Sequence, residues 1–221
     1  MSRRVRDPKR TRRMVLEAGY REFYRYGFQG GSLNRIVDTA GITKGALFHH
    51  FSSKNELGYA VVEEFLVPAV NSWWIQPLAE TRDPIPAIQD ILRRFRKHVE
   101  QETPETGFVF NGCPVCNYAA EMSPLDEGFR ERLAQLYGAW RQAIAAALRR
   151  GQKAGTVRGD ANPNDDAAFL VAGLAGMAAT GKVSQRVALF QGCLRVADRY
   201  VESMRPSCPE RQVQRSYRSG P

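Results

Sequence analysis

The chain contains little of what marks a protein as secreted or membrane-embedded. Four cysteines in 221 residues are too few for the disulfide framework of a small secreted protein. No run reaches the roughly 18 apolar residues of a membrane span, and the nearest, Ala167 to Gly181, is followed by Lys182. The basic N-terminus has no apolar stretch behind it, unlike a secretory signal. We expect a cytoplasmic protein with reduced thiols and no membrane partner.

The sequence also lacks the short motifs of common enzyme classes. It contains no HExxH, no GxxxxGK[ST] and no GxGxxG after a strand, which would mark metalloprotease, P-loop and dinucleotide sites. A structural zinc would need a second pair of ligands beside the CxxC, and neither Cys193, Cys208 nor the three histidines provide one at suitable spacing. We therefore expect no enzyme activity, no metal and no cofactor.

Positive charge is confined to the two ends of the chain. Residues 1–60 contain 12 lysines and arginines against 5 aspartates and glutamates, and residues 205–221 contain 4 against 1. The 144 residues between them contain 16 against 17, so the formal net charge of +9 comes from the ends. A basic end beside a near-neutral body favours a nucleic-acid partner. A solvated basic tail from Arg3 to Arg13 is the alternative.

Helical periodicity extends through almost the whole sequence and predicts an all-α fold. Residues 1–57 fit an N-terminal arm and a three-helix DNA-binding domain, and residues 58–204 fit a larger helical domain for ligand binding and dimerisation. Residues 205–221 are polar, contain three prolines and lack periodicity, so we expect a disordered tail.

The segment from Ser32 to Leu57 has the pattern of a helix-turn-helix. Ser32 can cap one short helix, Gly41 permits a sharp turn, and Thr43 can cap a second helix. Apolar residues fall on one face of each helix, Leu33, Ile36, Val37 and Ala40 in the first, Leu47 and Phe51 in the second. The second helix of such a unit enters the DNA major groove.

Caps and prolines place the other helices. Asp7 with Pro8 starts the first helix and Gly27 ends it. Ser53 with Glu56 forms a capping box for a connecting helix. The interruptions are expected as a kink at Pro68, a break over residues 77–86 and a loop over 103–112 with exposed Phe108 and Phe110. Later helices are expected over residues 87–101, 114–122, 125–152, 165–181 and 184–204.

With these elements in place, the chain resembles the TetR family of transcriptional repressors. The matching positions are Val15, Ala18, Gly19, Phe23, Gly27, Phe28, Ser32, Ile36, Val37, Ala40, Gly41, Ile42, Lys44, Gly45, Leu47, Phe48, Phe51, Ser53, Lys54 and Leu57. The resemblance implies a homodimer that binds a palindromic operator in double-stranded DNA. It also implies a ligand-responsive repressor, released when a small molecule fills a pocket in the larger domain.

Guided by the resemblance, we expect the DNA contacts to come from Ser32, Arg35, Thr43, Lys44, Gly45, Phe48, His49 and Lys54. Phe48 stands where the family usually has tyrosine, so a phosphate hydrogen bond is lost and apolar contact is kept. Arg35 stands where an acidic residue is common, and a cation near a helix N-terminus opposes the helix dipole. We hypothesise that Arg35 reaches a phosphate instead, and that Lys54 clamps another.

Cys113 and Cys116 form a CxxC within residues 107–123. Pro114 suits the first position of a helix, which makes Cys113 the N-cap and places Cys116 in the first turn, where the dipole favours a thiolate. The pattern GCxxxNxAxE, from Gly112 to Glu121, resembles a TetR subgroup that includes sensors of electrophiles or small unsaturated compounds. Inert buried thiols and a reversible disulfide are the alternatives.

We expect the effector pocket or sensor to include Phe108, Phe110, Cys113, Cys116, Tyr118, Glu121, Tyr137 and Trp140. Trp73 and Trp74 are further candidates for an apolar lining. Arg141 and His98 can supply polar contacts, although His98 is more simply a surface residue near its helix end.

Small and apolar residues dominate the helix from Ala167 to Ala179. We expect the last two helices of two copies to form an intermolecular four-helix bundle, with an internal helix as the alternative. Two other functions remain open. One is a non-specific DNA-binding protein, and the other is a CxxC redox enzyme, although the strand–helix context of such enzymes is missing.

Overall fold

The computed structural model describes residues 7–104 and 107–206, and within these ranges it is helical with no strand. The predicted all-α fold is confirmed. The N-terminal arm before Asp7 and the tail expected to be disordered, from residue 207 onward, lie outside the described residues.

Three helices form the N-terminal unit: α1 (Pro8–Gly30), α2 (Leu33–Ala40) and α3 (Lys44–His50). α4 follows from Lys54 to Leu78 in five consecutive pieces, Lys54–Val61, Val62–Leu66, Val67–Val70, Asn71–Ile75 and Gln76–Leu78. The larger half continues with α5 (Pro84–Val99), α6 (Phe108–Asn111), α7 (Pro114–Met122), α8 (Glu127–Ala154), α9 (Pro163–Ser184) and α10 (Val187–Glu202).

The capping residues predicted from the sequence act where expected. Asp7 accepts the amides of two residues in the first turn of α1, Ser32 accepts one at the start of α2, and Thr43 accepts the amide of Ala46 at 3.2 Å. Between α2 and α3, Gly41 adopts a left-handed conformation with φ of 63°. The helix-turn-helix is therefore formed by local signals that each act within one turn.

α1 breaks at Gly27, where φ is 76° and the backbone leaves helical geometry. The chain makes one more turn to Gly30 and brings Phe28 into the core. The Phe28 ring lies 5.0 Å from Phe23 in α1 and 4.8 Å from Phe129 in α8, measured between ring centroids. One aromatic side chain thus joins the small N-terminal unit to the larger half.

Pro68 does not interrupt α4. The predicted distortion takes the form of two π-helical pieces, Val62–Leu66 before the proline and Asn71–Ile75 after it. The amide of Val67 reaches the carbonyl of Val62, five residues earlier. Such wide turns accommodate a residue that lacks an amide and crowds the preceding turn.

Two predicted boundaries are wrong. α5 begins at Pro84, inside the expected break, because Asp83 caps it by accepting the amide of Ile85. The expected loop over residues 103–112 contains the helical turn α6, and its aromatic residues Phe108 and Phe110 pack partly buried against the core rather than lying exposed.

α9 is apolar over most of its length. Among the described residues, it is the one helix whose length and composition would allow it to cross a membrane, with a mean hydropathy of 1.4. Only 28% of that window is buried. Large apolar side chains on α9 and α10 are exposed, namely Phe169, Val183, Leu189 and Val196. This pair of helices therefore presents an unpaired apolar face, which we call the α9–α10 face.

We predict that Phe28→Ala destabilises the protein by about 3–5 kcal/mol, because it leaves a cavity between Phe23 and Phe129. Phe48→Ala is the matched control, since the Phe48 side chain is 48% exposed and its loss should change stability by less than about 0.5 kcal/mol. Urea denaturation measures both variants. Equal midpoints for the two would show that Phe28 does not join the two halves.

Candidate DNA-reading helix and effector cavity

The outer face of α3 is exposed and rich in groups suited to DNA. Lys44, Phe48 and His49 all lie on the surface. A Cβ atom added at Gly45 would meet nothing closer than the Thr43 hydroxyl at 3.9 Å, so the glycine leaves open space outside the helix. A short helix with an unobstructed face and cationic and apolar side chains fits the major groove.

Arg35 has an internal partner that the phosphate hypothesis did not include. Its Nε lies 2.7 Å from the carboxylate of Glu22, a side chain only 7% exposed, and its guanidinium also donates to the carbonyl of Gly30. The guanidinium lies 4.5 Å above the Tyr26 ring. The hydrogen bond that Arg35 donates to the Glu22 carboxylate raises the pKa of Arg35. Arg35 therefore neutralises a buried charge and fixes α2 against α1.

Lys54 is half-buried and likewise has an internal partner that the predicted phosphate clamp did not include. Its ammonium group donates to the carbonyl of Gln29 at 3.0 Å and lies 5.0 Å from the centre of the Phe28 ring. Burial lowers the pKa of Lys54. The capping box is also altered, because Glu56 accepts the amide of Ser52 rather than that of Ser53.

A cavity of about 260 Å³ lies in the larger half and reaches α1. Of the predicted sensor residues, Phe108, Cys113, Cys116 and Trp140 line it, together with Trp73 and Trp74. The other lining residues are Tyr20, Tyr24, Ala69, Val70, Leu92, Phe95, His98, Glu102, Pro114, Val115, Leu174, Ala175 and Phe190. All three tryptophans of the chain thus face one space.

Four predicted pocket residues lie elsewhere. Tyr118 packs against Phe129 in the core, and the carbonyl of Phe110 accepts a hydrogen bond from the Gln185 side chain. Tyr137 is one shell removed, since its hydroxyl donates to the Cys116 sulfur at 3.3 Å. The fourth, Glu121, binds the backbone of α1. None of these four residues is among those that line the cavity.

The cavity also contains polar residues, and of these Glu102 is not among the residues predicted to line it. His98 lines it instead of belonging only to the surface, whereas Arg141 lies on α8 outside it. The Glu102 side chain is 6% exposed, and its carboxylate accepts the amide of Val109 at 2.9 Å. Tyr20 and Tyr24 have the four-residue spacing of one helix face, a signal that could have identified them.

The two thiols of the CxxC differ sharply. Cys113 is the N-cap of α7 and Cys116 lies in the first turn, as predicted. Hydrogen bonds from Cys113 and, to a lesser degree, Tyr137 lower the pKa of Cys116 to about 7. The hydrogen bond to Cys116 and burial raise the pKa of Cys113. The lower pKa gives Cys116 the larger thiolate fraction of the pair near neutral pH, and the thiolate is the nucleophilic form of cysteine.

α7 connects this cavity to the N-terminal unit formed by α1, α2 and α3. Its first turn contains the thiols, and near its other end the Glu121 carboxylate accepts the amides of Phe28 at 2.8 Å and Gln29 at 2.7 Å. Just before the start of α7, the Tyr24 hydroxyl of α1 donates to the carbonyl of Gly112 at 2.9 Å. A displacement of α7 would therefore pull directly on the end of α1.

We predict that iodoacetamide alkylates Cys116 with a rate that rises between about pH 6 and 8 and then levels off, because its pKa is about 7. Tyr137→Phe removes one hydrogen bond that lowers this pKa and should move the midpoint upward. Peptide mapping by mass spectrometry follows each cysteine, with Cys193 as the internal reference. Faster alkylation of Cys113 would contradict the assignment.

Two family models match the chain. Residues 15–61 match the N-terminal model of bacterial regulatory proteins of the tetR family, and residues 84–197 match a tetracyclin repressor-like C-terminal domain. Together they cover the helix-turn-helix and most of the half that contains the cavity.

Named relatives are similar over most of their length. The transcriptional repressor DhaR of Mycobacterium sp. is 26% identical over 162 residues, covering 73% of this chain and 77% of the relative. The transcriptional regulator AcuR of Cereibacter sphaeroides is 26% identical over 165 residues, covering 72% and 70%.

Solved structures share the fold at low identity. A TetR regulator from Chloroflexus aurantiacus superposes with a TM-score of 0.78 at 22% identity, covering 91% of this chain and 98% of that one. The reduced form of NemR from E. coli gives 0.73 at 21% identity, covering 90% and 98%. Because the family models match well over half of its residues, this chain belongs to the TetR family of bacterial transcriptional regulators and is a DNA-binding regulator rather than an enzyme.

Proposed function

We propose that this protein is a repressor that binds a palindromic operator as a homodimer and releases it when the cavity is filled or Cys116 is modified. The observation that carries the proposal is the direct connection through α7, from the cavity thiols at its start to the α1 backbone held by Glu121 near its end. Like other DNA-binding regulators of bacteria, it would act in the cytoplasm.

On DNA, the groove is contacted by Thr43, the N-cap of α3, and by the exposed α3 residues Lys44, Gly45, Phe48 and His49. Lys44 supplies phosphate or base contact, and Phe48 supplies apolar contact with a thymine methyl group. Ser32 and Arg35 act through the Glu22 carboxylate, which accepts the amide of Ser32 at 2.8 Å and binds Arg35. These two residues, with Lys54, position the helix-turn-helix rather than read bases.

The α9–α10 face is the proposed dimer interface. It exposes Phe169, with 59% of its surface accessible, and Val183, with 86%, which a second copy would bury. Glycine and alanine at Ala172, Gly176 and Ala179 are exposed on α9 and would let the helices approach closely. The resulting two-fold symmetry matches a palindromic operator, whose half-sites lie about 34–36 Å apart.

Release follows if the effector binds more tightly to a conformation in which the two α3 helices no longer match the half-sites. Two elements link the cavity to the N-terminal unit. α4 lines the cavity through Ala69, Val70, Trp73 and Trp74 and begins directly after α3. α7 lines it through Cys113 to Cys116 and binds α1 through Glu121.

Selection of bound sequences from a random DNA pool tests the proposed function. We expect recovery of one two-fold-symmetric site bound by a dimer. Equal affinity for all sequences would instead identify a non-specific DNA-binding protein.

On the selected operator, we predict that Lys44→Ala weakens binding and reduces the slope of log affinity against log salt by about 1, because one phosphate contact is lost. Lys97→Ala is the matched control, since Lys97 is an exposed lysine in the last turn of α5. An unchanged slope for Lys44→Ala would exclude a phosphate contact there.

We predict that Glu121→Gln weakens the coupling between the cavity and DNA. Alkylation of Cys116 by iodoacetamide should reduce operator affinity at least about tenfold in the unmodified chain, a coupling of about 1.4 kcal/mol. In Glu121→Gln the reduction should be much smaller, because the amide side chain offers only one oxygen to two backbone amides. The readout is the ratio of operator affinities before and after alkylation.

The matched control for this experiment is Glu127→Gln, which removes the same charge from an exposed residue at the start of α8. Both variants are made with Cys193→Ser and Cys208→Ser, so that only the CxxC reacts. A full ratio in Glu121→Gln, at equal extents of alkylation, would show that α7 does not transmit the signal.

A further inference from the structure

We propose that the cavity is built for a small organic cation with an apolar body, such as an arylalkyl ammonium ion. This inference rests on the proposed function and deepens it by naming the chemical class of the effector.

The cavity wall contains one carboxylate, that of Glu102, and one imidazole, that of His98. The Glu102 side chain is only 6% exposed, and the Nε2 of His98 lies 3.8 Å from its Oε1. None of the lining residues, all within the described part of the chain, is a lysine or an arginine. Cys116 adds a second negative charge when it is ionised, since its pKa is about 7.

This arrangement selects against anions. A ligand carboxylate or phosphate would be desolvated beside Glu102 and the Cys116 thiolate, with no lysine or arginine among the lining residues to compensate for it. A ligand ammonium group reverses that balance, because it supplies the buried carboxylate with an opposite charge inside a space where water screens little.

The rest of the wall suits the apolar body of a cation. Eight aromatic side chains line the space: Tyr20, Tyr24, Trp73, Trp74, Phe95, Phe108, Trp140 and Phe190. Aromatic faces attract ammonium groups, tryptophan most strongly. The Trp73 ring already accepts one cation, since the Arg94 guanidinium lies 4.9 Å from its centre. Carboxylate and aromatic rings therefore favour the same charge.

The size of the space limits the ligand. A cavity of about 260 Å³ lies below the usual range of about 300–1,000 Å³ for drug-sized molecules. It fits a molecule with one aromatic ring and a short ammonium arm.

Three probes of one shape but different charge test the inference on the purified full-length protein at pH 8: benzylammonium, benzyl alcohol and benzoate. Tryptophan fluorescence reports binding, because every tryptophan in the chain lines the cavity, and calorimetry checks the constants. We expect benzylammonium to bind at least about tenfold more tightly than benzyl alcohol, and benzoate to bind least tightly.

Glu102→Gln identifies the group responsible. This variant keeps an oxygen that can accept the Val109 amide and removes only the charge, so benzylammonium should lose about tenfold in affinity while benzyl alcohol is unchanged. Glu100→Gln is the matched control, because Glu100 is an exposed carboxylate two residues away that binds Gln191 outside the cavity. It should leave all three affinities unchanged.

The ligand series on the unmodified chain does not depend on how either variant folds. Absence of benzylammonium binding, benzoate binding as tight as benzylammonium, or the same preference in Glu102→Gln would each overturn the inference. Operator selection on the same preparation tests the repressor function separately. A recovered palindrome with no cation preference would remove the ligand class and leave the regulator.

Discussion

The two halves of the molecule meet where α1 turns at Gly27, and three separate requirements coincide at that residue. Its positive φ ends the helical hydrogen bonding of α1, which leaves the amides of Phe28 and Gln29 in need of acceptors. Glu121 supplies both acceptors from α7. A Cβ at Gly27 would lie 3.0 Å from a Glu121 oxygen, so a larger residue would disturb the same contact. The Phe28 ring then fills the space beside Phe129. The orientation of α2 and α3 relative to the cavity depends on this junction.

Much of the fold could be predicted because its signals are local. Two of these signals are caps: Asp7 and Thr43 each accept a backbone amide in the first turn of the helix that follows. The third is Pro114, which starts α7 and has no amide that needs an acceptor. All three act within one turn, so they do not depend on a distant partner. The boundary at α5 was predicted wrongly because its prolines were interpreted as breaks. Pro84 stands at the first position of the helix, where the missing amide would have had no partner in any case.

The site could be predicted only in part, because it depends on which face of each helix turns inward. Cys113 and Cys116 lie three residues apart and share the face of α7 that lines the cavity, whereas Tyr118 follows Cys116 by two residues and lies on the opposite side. Arg35 and Lys54 had the correct charge for DNA, but their internal partners, Glu22 and the carbonyl of Gln29, are set by tertiary packing. Glu102 lies after the end of α5, where helical periodicity no longer predicts the direction of a side chain. The sequence therefore predicts the chemistry of the region better than its geometry.

α4 contains two π-helical pieces: Val62–Leu66 lies between the N-terminal unit and the cavity wall, and Asn71–Ile75 forms part of that wall. A π-type turn holds one residue more than an α-helical turn over the same rise. Deleting one residue within Val62–Leu66 would return that turn to α geometry and keep the helix faces on both sides in register. A related chain that is one residue shorter here would thus still direct the same side chains towards the N-terminal unit and towards the cavity. A one-residue alignment gap inside this helix would therefore not indicate a change in the fold.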